Sequence, residues 1–212
     1  MSGCDRLAAL IAACVALSSA AAAATPAVTV ESLLARFHEV KGLEAQFREE
    51  KHLALLKAPL ISEGNIHFAA PDRLARHTVK PVESTLLIDG KELRFGDAKS
   101  SESLAIDSNP VVRLFVDSFL KILTGDRAGL EKVFAMELHA KGESWRMQLK
   151  PRTEPMTGII DSLVLEGTGL VLHQMVLAET GGDSTTTVFT KVKLNRVYAP
   201  AELEKLFRMP AR

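Results

Sequence analysis

Residues Ser84 to Phe95 read STLLIDGKELRF. Two apolar runs flank Asp89-Gly90, a pair that favours a tight primed turn because glycine accepts positive φ without a Cβ clash. A β-hairpin is predicted here, and the same period of two extends outward on both sides. In LEAQFREEKH (43–52), Leu43, Ala45 and Phe47 alternate with Glu44, Gln46 and Arg48, the pattern of a half-buried strand. SEGNIHFAA (62–70) and RLARHTVK (73–80) flank Pro71-Asp72, a turn pair. Strands are predicted again at ESWRMQLKP (143–151), IDSLVLEGTGLVLHQMVLAE (160–179, turning at Gly167-Thr168-Gly169) and TTTVFTKVKLNRV (185–197, after Gly181-Gly182-Asp183).

Four stretches change to a helical period. TVESLLARFHEV (29–40) spaces Leu33, Leu34, Phe37 and Val40 on one face, with Thr29 as N-cap and Gly42 just past the end. SNPVVRLFVDSFLKILTGD (108–126) places Asn109 before Pro110 at the first helical position and ends at Gly125. Its apolar residues cover most of the circumference, so it is central to a core or touches apolar material on two faces. AGLEKVFAM (128–136) predicts a second short helix and PAELEKLF (200–207) a last one. Many short strands with interspersed helices predict an α+β fold: one strongly curved antiparallel sheet with helices segregated to one side. One segment resists both periods. In KHLALLKAPLIS (51–62), Leu53, Leu55, Leu56, Pro59, Leu60 and Ile61 fit neither a helix stripe nor a strand alternation.

The first 24 residues read as a secretory signal peptide: a short charged start, an uncharged Leu7–Ala24 and Ala22-Ala23-Ala24 before cleavage near Thr25. A transmembrane anchor needs about 20 strongly apolar residues, and this stretch is mostly alanine. Ile11-Ala12-Ala13-Cys14 loosely resembles a lipidation site, but the apolar run continues after the cysteine. Cys4 and Cys14, the two cysteines of the chain, both lie in this leader. A chain starting near Thr25 therefore holds roughly 188 residues (212 minus about 24) in a single domain, 25–212, without thiol or disulfide chemistry. Its formal net charge of zero offers no attraction for nucleic acid or anionic headgroups.

No catalytic or metal constellation stands out. None of the six histidines forms a helical i,i+4 pair; His67 and His77 could meet across Pro71 but without a carboxylate at ligand spacing. GGDSTTT (181–187) lacks the second glycine and the following helix of a nucleophile elbow. No Gly-rich phosphate loop is present and no cofactor is implied. With one Trp and one Tyr, stacking platforms for bases or sugars are poorly supplied, whereas Leu, Val, Ile and Met are abundant. That composition suits either an ordinary core or the walls of an acyl-chain pocket.

The order Phe47, Pro59, Ser62-x-Gly64, Phe68, Pro71-Asp72-Arg73-Leu74, Pro81 and Leu87-Ile88-Asp89-Gly90-x-x-Leu93 resembles the LolA family of outer-membrane lipoprotein carriers. The likeness continues through Asn109-Pro110, Leu123-x-Gly125-Asp126, Trp145-x-x-x-Leu149-x-Pro151 and Gly181-Gly182-Asp183. The resemblance implies an incomplete, half-open β-barrel whose concave face is lidded by helices and encloses a cavity for acyl chains. It implies a monomeric periplasmic carrier that receives acylated cargo from an inner-membrane exporter and passes it to an outer-membrane acceptor. On that pattern the cavity wall is expected at Phe47, Ile66, Phe68, Leu74, Leu86, Ile88 and Met147, and the lid at Val111, Val112, Leu114, Phe115 and Phe119. Where family carriers place an Arg that latches the lid, this chain has Ala70, and Arg76 replaces an expected Trp; the chain also ends at Arg212, without a further C-terminal strand. These departures leave open a carrier of a polyene or glycolipid, or a lipid- or lipoprotein-sensing module. KHLALLKAPLIS is then a rim connection between the first two strands.

Overall fold

The computed structural model describes residues 28–210, so the predicted leader and both cysteines lie outside the described residues. Helix α1 (Val30–His38) opens the described chain under a capping box in which Thr29 and Ser32 satisfy each other's backbone N–H. It ends at His38, short of Gly42, which instead begins the first strand. Six strands follow in a meander: β1 (Gly42–His52), β2 (Leu60–Ala69), β3 (Arg73–Lys80), β4 (Ser84–Asp89), β5 (Glu92–Gly96) and β6 (Ser101–Ala105). Helices α2 (Pro110–Thr124) and α3 (Arg127–Val133) interrupt the sheet. Five more strands complete it: β7 (Phe134–Lys141), β8 (Ser144–Pro151), β9 (Ile160–Thr168), β10 (Val171–Glu179) and β11 (Ser184–Leu194). Helix α4 (Pro200–Leu206) comes last.

All eleven strands form one antiparallel sheet in the order β6-β5-β4-β3-β2-β1-β11-β10-β9-β8-β7. β1 pairs with β11 along its whole length and joins two meanders, while the outer edges of β6 and β7 stay unpaired, so the sheet does not close. The α+β class and the incomplete barrel expected from the sequence are present. Around the Ser84–Phe95 hairpin, Asp89 pairs with Glu92 and Gly90 alone has positive φ, 61°. The two turn residues are therefore Gly90 and Lys91, the form with glycine first.

Three details differ from the expectations. The stretch 128–136 is helical only to Val133; Phe134, Met136 and Leu138 then alternate inward on β7, with the pleat of a strand overriding a weak helical pattern. β6 was not anticipated, because SESLA carries almost no apolar signal and forms by pairing with β5. The helices are not all on one side: α4 packs Leu203, Leu206 and Phe207 on Ala75 and Leu87, which point away from the face that α2 covers.

Candidate functional site

The strand registers place two apolar groups on the face beneath α2. The first, from β1 to β4, holds Ala45, Phe47, Ile66, Phe68, Leu74 and Ile88; the second, from β7 to β9, holds Phe134, Met147, Leu149, Leu163 and Leu165. Helix α2 spans both groups. Its N-cap Asn109 accepts from the N–H groups of Val111 and Val112, and Gly125 ends it in the left-handed conformation, φ 66°. Val112, Val116, Phe119 and Leu123 belong with the first group, Leu114, Phe115 and Ile122 with the second. The over-apolar circumference read from the sequence thus has two apolar neighbours to satisfy.

Between α1, α2 and the sheet lies a cavity with three adjoining lobes of about 50, 40 and 120 Å³. Ile122 lines all three. The first is walled by Phe37, Val40, Leu43, Phe68, Leu123, Trp145, Leu165, Leu170, Leu172 and Leu194. The second adds Ala45, Ile66, Phe119, Met175, Phe189 and Val192, and the third Phe115, Ser118, Met156 and Leu177. The two polar side chains in these walls are occupied: the Trp145 indole N–H donates to the Gly169 carbonyl at 2.9 Å, and the Ser118 hydroxyl to the Leu114 carbonyl at 2.6 Å. The cavity offers a ligand an almost wholly apolar surface.

Of the wall residues expected from the sequence, Ile66 and Phe68 line the lobes, and Phe47, Leu74 and Ile88 are buried in the same group without lining them. Met147 is fully buried in the other group. Leu86 is half-buried and opens onto a groove outside the lid. Of the lid residues, Phe115 and Phe119 face the lobes, Val112 and Leu114 pack beside them, and half-buried Val111 joins neither group. The sequence reading missed Leu172, Met175, Phe189 and Val192. A register shift at His173 brings Leu172 and Met175 to one face although they are three apart. A second shift opposite Ala45, with Lys191 at φ 51°, does the same for Phe189 and Val192. Such bulges flip the parity that strict alternation assumes. Ile122 and Leu123 were legible as the positions three and four beyond Phe119.

The open groove, about 410 Å³, lies where β3, β4, β5 and β6 pass beyond the lid. At its inner end Arg76 donates to Glu49 at 2.9 Å, to Thr78 at 3.2 Å and to Ser62 at 3.3 Å, and its guanidinium lies 4.2 Å over the Phe47 ring. Ser62 and Thr187 also donate to Glu49, each at 3.3 Å. The β1–β2 connection sits at this same end of the sheet, tied by the Ala54 N–H donating to Asp183 at 2.8 Å, and Leu55 at its rim is 96% exposed.

His67 and His77 do approach, ring centroids 6.0 Å apart, but on the opposite face. His77 hydrogen-bonds the Leu206 carbonyl at 3.0 Å and Thr85 at 3.3 Å, while His67 sits 3.5 Å from the Tyr198 hydroxyl. Burial holds both imidazoles below their ordinary value, with their mutual charge adding for His67, and burial pushes the Tyr198 phenol up. Leu206 and Tyr198 belong to the C-terminal segment, which the two histidines fasten to the sheet. Among the described residues no group of three His, Cys, Asp or Glu side chains converges on a possible metal position, and no helix is long and apolar enough to cross a membrane.

An open antiparallel sheet folded around a carbon-lined cavity, with a helix across it, defines a class of proteins that enclose apolar material. The profile of the family described as outer membrane lipoprotein carrier protein LolA-like matches residues 21–203, and the chain belongs to that family. An outer-membrane lipoprotein carrier protein of Pseudomonas syringae pv. tomato is 24% identical over 147 residues, covering 69% of this chain and 68% of the relative. In fold the chain is similar to the Pseudomonas aeruginosa MucA/MucB complex structure, with a TM-score of 0.51, 13% identity, and coverage of 82% of this chain and 60% of that one. A LolA superfamily protein from Nitrosomonas europaea superposes with a TM-score of 0.44 and 10% identity, over 85% of this chain and 98% of the other.

Proposed function

We propose that this chain is a periplasmic carrier that shields the acyl chains of a lipoprotein or other lipidated molecule and takes it from the inner to the outer membrane. The observation that carries this is the apolar cavity under α2, in which both polar wall side chains, Trp145 and Ser118, already donate to backbone carbonyls. Burying one methylene is worth about 0.8 kcal/mol, so a 16-carbon chain in water costs on the order of 10 kcal/mol. An acylated molecule therefore needs an escort between membranes. The walls recognise hydrocarbon and nothing else, so lipoprotein, polyene and glycolipid cargo all satisfy them.

Pockets for small molecules hold about 300–1,000 Å³, well above the 50, 40 and 120 Å³ of the three lobes. Loading must therefore move α2 outward. The helix is joined to the sheet by side-chain packing rather than by strand pairing, so it can move while the ladder stays intact. An exporter at the inner membrane and an acceptor at the outer membrane would supply and remove the cargo, and the family assignment and the P. syringae relative support that route. Native mass spectrometry of the protein isolated from its own cell envelope tests the reading. A co-purified acylated molecule is the expected result; an empty protein that also fails to bind a fluorescent fatty acid would overturn it.

A further inference from the structure

Registers across β1 to β6 set Ala45, Ile66, Arg76, Leu86, Phe95 and Glu102 side by side on one face, each opposite the next. The inner members, Ala45 and Ile66, line the cavity under α2; Arg76, Leu86, Phe95 and Glu102 line the open groove. Arg76 stands at the junction. An arginine is an expensive residue to place between two aliphatic neighbours, Ile66 and Leu86, because a partly desolvated ion pair gains little over hydrophobic packing. Of its five N–H donors, three are used by Glu49, Ser62 and Thr78, which leaves two without a protein partner. Glu49 and Ser62 hold the guanidinium in one place, Thr187 and Ser62 in turn donate to Glu49, and the Phe47 ring supports its face.

We propose that Arg76 is a binding residue for the acyl carbonyl, the ester or amide oxygen at which a hydrocarbon chain joins its head. The chain then runs inward past Ile66 under α2 and the head rests in the groove. This rests on the carrier reading and narrows its cargo. The joint must supply an acceptor, because the free groups are donors. The head is not anionic: the charge of Arg76 is already matched by Glu49 at 2.9 Å, and the groove is otherwise edged by Glu83, Asp97 and Glu102. A neutral or zwitterionic head fits; a free fatty acid or phosphate monoester does not.

The test displaces diphenylhexatriene, a pure hydrocarbon fluorophore, from the purified full chain. Competitors of equal chain length are a monoacylglycerol, the matching alkylglycerol ether that lacks the carbonyl, an N-acylethanolamine and a fatty acid. The wild type is expected to bind the ester or the amide about tenfold or more tighter than the ether, the value of a hydrogen bond to a charged donor. Whichever carbonyl compound is tighter tells an ester-linked from an amide-linked chain. Arg76→Met should erase that ratio while diphenylhexatriene binds as before. Because this leaves Glu49 unpaired, the Glu49→Gln/Arg76→Met double variant is measured alongside. A purely structural pair would lower the melting temperature and leave the ester-to-ether ratio intact, which overturns the proposal, as does a fatty acid that binds as tightly as the ester. Failure of the wild type to take up diphenylhexatriene would instead overturn the carrier reading, and this proposal with it.

Discussion

Two side chains show how single positions control the site. Ile122, 6% exposed, is where the three lobes meet, so its volume sets how far they communicate. Ile122→Trp should fill that junction; overpacking of this kind costs about 1–3 kcal/mol. We expect a folded protein, verified by circular dichroism, whose uptake of diphenylhexatriene falls at least tenfold; unchanged uptake would place the acyl path elsewhere. Gly64 is set by close approach. A Cβ there would fall on the His77 carbonyl oxygen and within 2.8 Å of the Phe47 ring, at the register shift between β2 and β3. Gly64→Ala should cost about 1–3 kcal/mol, lowering the melting temperature by about 2–12 °C for a domain of this size. The glycine was visible in the sequence as part of the Ser62-x-Gly64 pattern, but its reason is a contact between residues 13 and 17 positions apart, which only the folded sheet supplies.

At the scale of elements, α4 and the segment before it strap the outside of the sheet. Tyr198 donates to the Leu43 carbonyl at 2.6 Å, Arg94 to the Phe207 carbonyl at 3.2 Å, and Arg73 lies 4.4 Å over the Phe207 ring. His67 and His77 sit beneath this strap, facing Tyr198, Glu44, Glu202, Arg196 and the end of α4. Both have folded-state values held below that of a free imidazole, chiefly by burial. Below about pH 6.5 the unfolded chain therefore binds more protons than the folded one. The stability these rings contribute is complete above that pH and is lost as pH falls through their depressed values. Melting temperature is expected to drop between pH 7 and 5, and the drop should flatten in a His67→Gln/His77→Gln double variant. An equal slope in the variant would assign acid sensitivity to other groups. The period of α4 was readable in PAELEKLF, but its side of the sheet was not, since Ala75 and Leu87 alternate with Leu74 and Ile88 and both parities are apolar.

The whole molecule has a wet end and a dry interior. Leu55 at 96%, Leu60 at 53%, Val82 at 66% and Phe95 at 40% exposure cluster where the groove opens, an apolar rim that water alone does not favour. Leu55 and Leu56 pack on nothing that stabilises the fold, so Leu55→Ser/Leu56→Ser should change stability by less than about 0.5 kcal/mol. If the rim meets the donor or the acceptor, transfer of a bound fluorescent lipid to outer-membrane vesicles should slow several-fold while its affinity stays constant. Equal transfer rates would remove the loop from the exchange step.

By itself the sequence determined the local grammar of this protein. Thr29 and Asn109 cap helices, Gly90 turns the hairpin, and alternation in LEAQFREEKH commits Leu43, Ala45 and Phe47 to one face, because these choices depend on a few neighbouring backbone dihedrals. The tertiary structure decided what depends on pairing at a distance. β1 meets β11 at the centre of the sheet while β6 and β7 do not meet to close the barrel, SESLA becomes a strand against β5, bulges at His173 and Lys191 turn Leu172 with Met175 and Phe189 with Val192 into the cavity, and Arg76 comes to rest on Glu49 and Phe47. A one-residue shift in register exchanges every inward side chain for its neighbour, and registers are fixed only when whole strands pack against one another.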